Sequence, residues 1–333
     1  MALSRMFFQD AFADIDRLLE VFAHSNIRKR HFCVPLDWFR HEHSFAEKNR
    51  LYVEHAVTLG AQAVEHCLRK AQLSPEQIDC LFLVSSTGIA TPSLDAQLLN
   101  RIGLRETITR LPLWGLGCAG GAMGLARACE YVQAYPDKRA LLLSVELCGL
   151  TFIRQDLSKS NLVATCLFAD GSAAVVVGGD ETKKPEDRPL LHFRAAQTTT
   201  WKDTLEVMGW ELTENGLKVI FSRDIPTLIK KKWKENVDGF LTLHGSGREQ
   251  LSRYVLHPGG AKVLTAYQES LQIPANDMAH AESVLREYGN MSSPTVLFVL
   301  EKSMEDTWKA GEQGLLAALG PGFSSELVLL EAR

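Results

Sequence analysis

Segments with apolar residues at helical spacing alternate along this chain with short runs that are apolar almost throughout. The stretch "EKNRLYVEHAVTLGAQAVEHCLRKAQ" has the helical period and leads into strand-like "IDCLFLVSS". In the same way "SLDAQLLNRIGL" precedes "RLPLWGLG", "AMGLARACEYVQAY" precedes "RALLLSVELC", and "SAAVVVGG" closes the series. Strands this apolar are expected to be covered on both faces, and the alternation predicts α/β layers. The polar, proline-bearing "DETKKPEDRP" at 180–189 predicts a seam between residues 1–180 and 181–333.

Beyond the seam the pattern recurs. "RYVLHPGGAKVLTAYQESL" reads as strand, glycine turn and helix, as does "LFLVSSTGIATPSLDAQLL". "YGNMSSPTVLFVLEKSME" sets Asn290 before a helix much as Cys118 precedes one, and "LLAALGPGFSSELVLLEA" parallels "LFADGSAAVVVGGD". Two copies of one α/β unit account for the recurrence. The opening "MALSRMFFQDAFADIDRLLEVF" predicts one amphipathic helix. Its acidic residues and lack of a small-residue cleavage site argue against a signal peptide.

Composition narrows the reading. With 46% hydrophobic residues in 333, the chain can bury one large core or two ordinary ones. The 36 basic and 40 acidic side chains leave a net −4, which gives no electrostatic case for nucleic acid or an anionic membrane. The run Lys230–Lys232 is expected on a solvated helix face. No stretch of roughly 18 apolar residues is present, so no membrane span is predicted. Seven cysteines (33, 67, 80, 118, 129, 148 and 166), with no CxxC pair, fit reduced thiols in a cytoplasmic protein better than a disulfide scaffold or a metal site.

Candidate chemistry begins at "GLGCAGG". Cys118 lies among Gly117, Gly120 and Gly121, where an apolar run turns into a helix. A helix N-terminus offers unpaired N–H groups and a positive dipole end, which favour a thiolate nucleophile and can face a developing oxyanion. A small buried hydrophobe would fit the same place. "LHPGG" puts His257 at a strand end, as a base for that thiol or as a satisfied core histidine. "YGNMSS" puts Asn290 at a helix start, as an uncharged donor or as a helix cap. Cysteine, histidine and asparagine in that order also fit a papain-like protease, but the local signature of that nucleophile is absent.

Together, "GLGCAGG", "HPGG" and "YGNMSS" resemble the motifs of the chalcone synthase-like family, the type III polyketide synthases. "LFADGSAA" and "GPGFSSELVLL" resemble its two glycine turns. "ATPSLDAQL" and "LTFIRQDLSKSNLVA" are most similar to its bacterial branch, which makes alkylpyrones or alkylresorcinols from fatty acyl starters. The resemblance covers the whole chain. It implies an α/β thiolase-like fold, with two related βαβαβ-type halves forming a layered αβαβα core, assembled as a homodimer. Cys118 would take an acyl group from an acyl-CoA, His257 would act as its base, and Asn290 with His257 would hold malonyl-CoA during decarboxylation. No cofactor beyond coenzyme A thioesters as substrates is implied.

The same resemblance implies lesser roles. Phe168 matches an aromatic gate, and Thr151 a position that tunes cavity volume. Val219 stands where plant members carry a second gating phenylalanine, implying a wider passage. Thr91 falls where a side chain crosses into the partner's cavity. Arg17, Gly260 and Ala261 are expected to meet coenzyme A. Glu20 and His24 occupy two positions where the family has basic residues, with Arg28, Lys29 and Arg30 nearby as substitutes or as a solvated turn. The family's first strand, ahead of the opening helix, has no counterpart here. Two other readings stand beside this one: a single-condensation β-ketoacyl-acyl-carrier-protein synthase III, and a non-catalytic scaffold of the same fold.

Overall fold

The computed structural model describes residues 2–183 and 191–333. In chain order the elements are α1 (Ala2–Phe8), α2 (Ile15–Ala23), α3 (Phe45–Ala71), β1 (Cys80–Val84), α4 (Leu94–Ile102), β2 (Thr109–Leu113), α5 (Gly120–Ala134), β3 (Arg139–Leu147), α6 (Lys159–Leu167) and β4 (Asp170–Gly178). There follow β5 (Leu191–Thr200), β6 (Met208–Thr213), β7 (Gly216–Phe221), α7 (Ile225–Leu243), β8 (Leu251–Leu256), α8 (Ala261–Leu271), α9 (Ala279–Tyr288), α10 (Pro294–Glu305), β9 (Gln313–Gly320) and β10 (Ser324–Ala332). Most of the expected seam at 180–189 lies outside the described residues.

Local chemistry sets the long helix α3. Ser44 caps it by accepting from the Glu47 amide, and Gln72 ends it in a left-handed conformation. Tyr52, Ala56, Gly60, Val64 and Leu68, one per helical turn, make its buried stripe. That stripe and Leu98 of α4 pack on Leu81, Leu83, Leu141 and Leu143 of one sheet. Each fully buried leucine or valine there contributes about 1.5–3 kcal/mol.

The first sheet has the order β2-β1-β3-β4, with β1 parallel to β2 and β3 and with β4 antiparallel. The second has the order β5-β10-β9-β8, with β8 parallel to β9 and the other pairs antiparallel. The triplets β1-β3-β4 and β8-β9-β10 therefore share one pattern of directions. Helices α5 and α10 lie between the sheets, and α7 and α8 share the core of the second one. The layer order is helix, sheet, helix, sheet, helix. A single core runs from Phe82 and Val84 through Leu125 and Val296 to Leu316, Trp233 and Tyr267.

Two sequence expectations change, and strand pairing adds a third observation. The opening segment forms two helices, because a turn at residues 9–14 lets Phe8, Ile15 and Leu19 all close on Leu162 of α6. Strand β2 is an edge strand and is exposed along most of its length, including Leu111. The third concerns β10, flanked on both sides by β9 and β5, where its counterpart β4 pairs only with β3 among the described residues. The open edge of β4 is where a strand equivalent to β5 would lie.

Candidate active site

The nucleophile candidate is set by a short turn. Gly117 (φ +47°), Cys118 and Ala119 form one turn of 3₁₀-helix that runs straight into α5. A Cβ on Gly117 would meet Pro321 at 2.7 Å, and one on Gly121 would meet the Ser293 carbonyl at 2.1 Å. Glycine is required at both positions, by backbone conformation at the first and by backbone-to-backbone contact at the second. Cys118 is buried at 7% exposure.

Asn290 and His257 arrive from the second half. Asn290 bridges the chain at Phe168, its amide donating to the Leu167 carbonyl and its carbonyl accepting from Ala169. Its side-chain oxygen lies 3.9 Å and its nitrogen 4.0 Å from Cys118 Sγ. Oδ1 accepts from the Ser292 amide, and Nδ2 donates to the Gly259 carbonyl at 3.1 Å. One N–H of Nδ2 is thereby spent on Gly259, and the second is left for a ligand. His257 extends β8 by one residue, its amide donating to Ala317, and the strap His257–Gly260 leads into α8. Gly259 thus ties Asn290 to the histidine strap. Neither ring nitrogen of His257 has a partner, although the residue is 2% exposed. Both nitrogens of this buried imidazole are thus open to a ligand or a water.

Burial pushes the Cys118 thiol up to about 11; the Glu146 charge adds to this, and hydrogen bonds with Ser292 and Asn290 oppose it. Burial alone brings the His257 imidazole down to about 3. The helix start therefore does not leave a free thiolate. Burial thus favours the uncharged form of both side chains, a thiol at Cys118 and a neutral imidazole at His257.

Glu146 was not singled out by the motifs. It lies on β3, fully buried, accepting from the Ser86 amide, Thr87 Oγ1 and Ser293 Oγ. Ser86 Oγ in turn accepts from the Gly117 amide, so the carboxyl braces the turn that carries Cys118. Two polar residues, Ser144 and Glu146, inside the otherwise apolar "RALLLSVELC" were the signal.

Burial raises the Glu146 carboxyl from 4.5 to about 7, against hydrogen bonds from Ser86, Ser293 and Thr87. A raised carboxyl binds its proton in the folded state between those two values. The stability this adds is present at low pH and is lost as pH rises through that window, by about 3 kcal/mol. The buried neutral His257 adds an opposite slope common to both proteins, so between pH 5 and 7 the melting temperature of wild type should drop with rising pH relative to that of Glu146→Gln. Parallel slopes would show that Glu146 does not titrate there.

The remaining candidates spread over the site's surroundings. Phe168 faces Trp210 and Phe221, with ring centroids 6.3 and 6.4 Å away. Val219 is buried at 8% and pairs across the hairpin with Trp210, so Trp210, Val219 and Phe221 share one face. Thr151 ends the turn after β3, its hydroxyl donating to the Cys148 carbonyl. Thr91 is exposed on the loop between β1 and α4. Gly260 is buried in the strap; Ala261 lines a small cleft with Asn26, Thr265 and Gln268. Arg17 is exposed, pairs with Asp14 at 3.5 Å and does not line that cleft. Lys29 pairs with Glu287, and Arg30 donates to the Thr165 and Phe168 carbonyls, so Arg30 holds the gate's backbone instead of offering a free cation.

Among the described residues no group of three or more histidine, cysteine or acidic side chains could hold a metal. All seven cysteines are free, and among the described residues no helix is long and apolar enough to cross a membrane.

The layered fold and the buried cysteine centre define a thiolase-fold condensing enzyme, an acyltransferase of the decarboxylative kind. Residues 16–251 match the family described as FAE1/Type III polyketide synthase-like protein, and residues 192–332 match the chalcone and stilbene synthases' C-terminal domain. The chain belongs to the type III polyketide synthase family. It is 44% identical to a putative chalcone synthase of Bacillus subtilis (strain 168), over 98% of this chain and 92% of that one. It is 37% identical to the 1,3,6,8-tetrahydroxynaphthalene synthase of Streptomyces peucetius subsp. caesius, over 96% and 84%. The crystal structure of 1,3,6,8-tetrahydroxynaphthalene synthase from Streptomyces coelicolor A3(2) superposes with a TM-score of 0.93 at 26% identity, covering 100% of this chain and 93% of that one. Family membership removes the papain-like and synthase III readings.

Proposed function

We propose that this enzyme loads a long-chain acyl group from acyl-CoA onto Cys118, extends it with malonyl-CoA and cyclises the product to an alkylpyrone or alkylresorcinol. The observation that carries the reading is the buried contact of Cys118 Sγ with the Asn290 amide, tied through Gly259 to an unpartnered His257.

In loading, His257 takes the Cys118 proton and the sulfur attacks the starter thioester. The carbon–sulfur bond to coenzyme A breaks, and the departing thiolate takes the proton back from His257. Malonyl-CoA then binds with its thioester oxygen between His257 and the free N–H of Asn290. Loss of carbon dioxide places negative charge on that oxygen, where two fixed donors in a closed centre stabilise it. The enolate carbon attacks the Cys118 thioester, a carbon–carbon bond forms and the cysteine sulfur leaves. Reloading the extended chain repeats the cycle. Phe168, with Trp210 and Phe221, would screen this centre from the coenzyme A side, Gly260 and Ala261 would border the pantetheine arm, and Val219 with Thr151 would shape the acyl space.

Incubation with acyl-CoAs of graded length, followed by mass analysis of protein and products, tests the reading. A long-chain adduct on Cys118 and pyrone or resorcinol masses on adding malonyl-CoA are expected. A preference for malonyl-CoA as starter, with a naphthalene product, would replace the long-chain reading.

A homodimer is part of the same proposal. The unpaired edge of β2 with exposed Leu111, and Ile89 and Trp114 beside it, offers an apolar strip to a second copy, with Thr91 on the adjoining loop. Leu111→Lys is expected to convert a dimer into a monomer in sedimentation equilibrium. A monomeric wild type would defeat this part.

A further inference from the structure

Lys48 is 5% exposed and is the one lysine or arginine buried to that degree among the described residues. Its ammonium donates to two backbone carbonyls, Asn215 at 2.8 Å and Phe152 at 3.1 Å, and to no carboxylate. These contacts clip three elements together: the start of α3, the turn between β6 and β7, and the loop that follows Thr151. A buried ammonium without a counter-ion is costly, and burial brings this one down to about 8. Two of its three N–H groups are spent, which leaves one.

That third donor borders a small cleft, with room for about one oxygen-sized group, whose walls include Phe45, Asn49, Thr87, Leu150, Thr151 and Leu217. The other polar groups there are already engaged. Thr87 Oγ1 donates to Glu146 and accepts from the Leu147 amide, and Thr151 Oγ1 donates to Cys148. The cleft is thus an apolar slot with one unspent cationic donor. It lies one loop away from the nucleophile, because Ser86, next to Thr87, accepts from the amide of Gly117.

Resting on the polyketide reading above, we propose that Lys48 is a specificity-determining residue, donating to a carbonyl or enolate oxygen of the extended 1,3-dicarbonyl chain on Cys118. The partner's chemistry follows from the slot. A starter alkyl chain carries nothing for an ammonium to bind, whereas each extension adds a carbonyl, and a carbon between two carbonyls gives up its proton readily. The acidic oxygen of such a unit supplies the negative charge that Lys48 lacks. Held there, the chain presents a fixed choice of carbons for ring closure, so Lys48 acts on which product forms and not on loading.

The test compares wild type, K48M and K48R with one long-chain acyl-CoA and malonyl-CoA. Loading of Cys118 is read by protein mass, and the ratio of cyclised to linear or hydrolysed products by product mass. K48M should load as wild type does and shift that ratio on the order of tenfold, the worth of one charge-assisted hydrogen bond, while K48R stays nearer wild type. A second arm needs no variant. Between about pH 7 and 9.5 the wild-type ratio should move toward that of K48M as the ammonium loses its proton.

The charged groups on the surrounding elements are mostly spoken for. Glu47 pairs with His43, Arg50 with Glu54, and Lys218 with Glu211, while Glu214 lies in the hairpin turn and Glu146 stands behind Thr87. A pH change that persists unaltered in K48M belongs to another group, Glu146 or the dicarbonyl chain itself, and overturns the assignment. So does an unchanged product ratio in a K48M that loads normally. Wild type that never loads Cys118 would overturn the polyketide reading itself, and this inference with it.

Discussion

Replacing Cys118 by alanine is expected to abolish the acyl adduct and lower product formation by about 10³-fold or more. The size of the effect follows from the absence of a substitute. Cys148 is fully buried with its thiol pushed well up by burial, and Cys33, Cys80 and Cys129 are raised in the same way. None of these has the Asn290 amide at its sulfur. Water admitted to a Cys118→Ala centre could hydrolyse an acyl-CoA but could not hold the acyl group for a second condensation. The substitution should be mild for the fold, since it removes one sulfur from a turn fixed by Gly117 and Gly121. Intact-protein mass after exposure to a labelled acyl-CoA reads the loss, and an unchanged melting temperature shows that the loss is chemical. Product formation at the wild-type level would end the assignment of Cys118.

Much of this centre was legible because its three members lie at chain punctuation. Cys118 and Asn290 adjoin glycine and His257 stands two residues before one, where a strand ends or a helix starts, and such places can be read from order and spacing alone. Glu146 and Lys48 were harder. A glutamate in an apolar strand leaves a trace in the pattern, but a lysine near the start of a helix normally points to water. Only packing of the β6–β7 turn over α3 buries Lys48, and that contact joins residues 48 and 215. The aromatic partners of Phe168 were hidden for the same reason, since Trp210 and Phe221 meet it by long-range folding.

The fold divides similarly. Runs such as Cys80–Val84 and Arg139–Leu147 are apolar enough to declare themselves as strands covered on both faces. Strand β2 is apolar too, yet it is exposed, because the pattern records that a surface is to be covered and not by what. Strand β5, with its run of Gln197, Thr198, Thr199 and Thr200, is too polar to stand out. It is placed by its pairing with β10, and the open edge of β4 becomes visible only by comparison with that pairing.

Asn290→Ala is expected to separate the two halves of the reaction. Chain extension should fall on the order of 10²–10³-fold, the usual effect of removing one donor from a developing oxyanion. Loading of Cys118 from acyl-CoA should persist, because His257 and the thiol remain. The geometry gives the reason. Asn290 Nδ2 spends one hydrogen on Gly259 and holds the other beside Cys118 Sγ, while Oδ1 is fixed by the Ser292 amide. The amide is thus prevented from turning its oxygen toward the charge that decarboxylation creates. Asn290→Asp is expected to be at least as damaging, since it sets a buried carboxylate against an enolate. Release of labelled carbon dioxide from malonyl-CoA, measured beside adduct formation, separates the steps. Decarboxylation by Asn290→Ala at the wild-type rate would leave His257 as the sole donor and remove Asn290 from the mechanism.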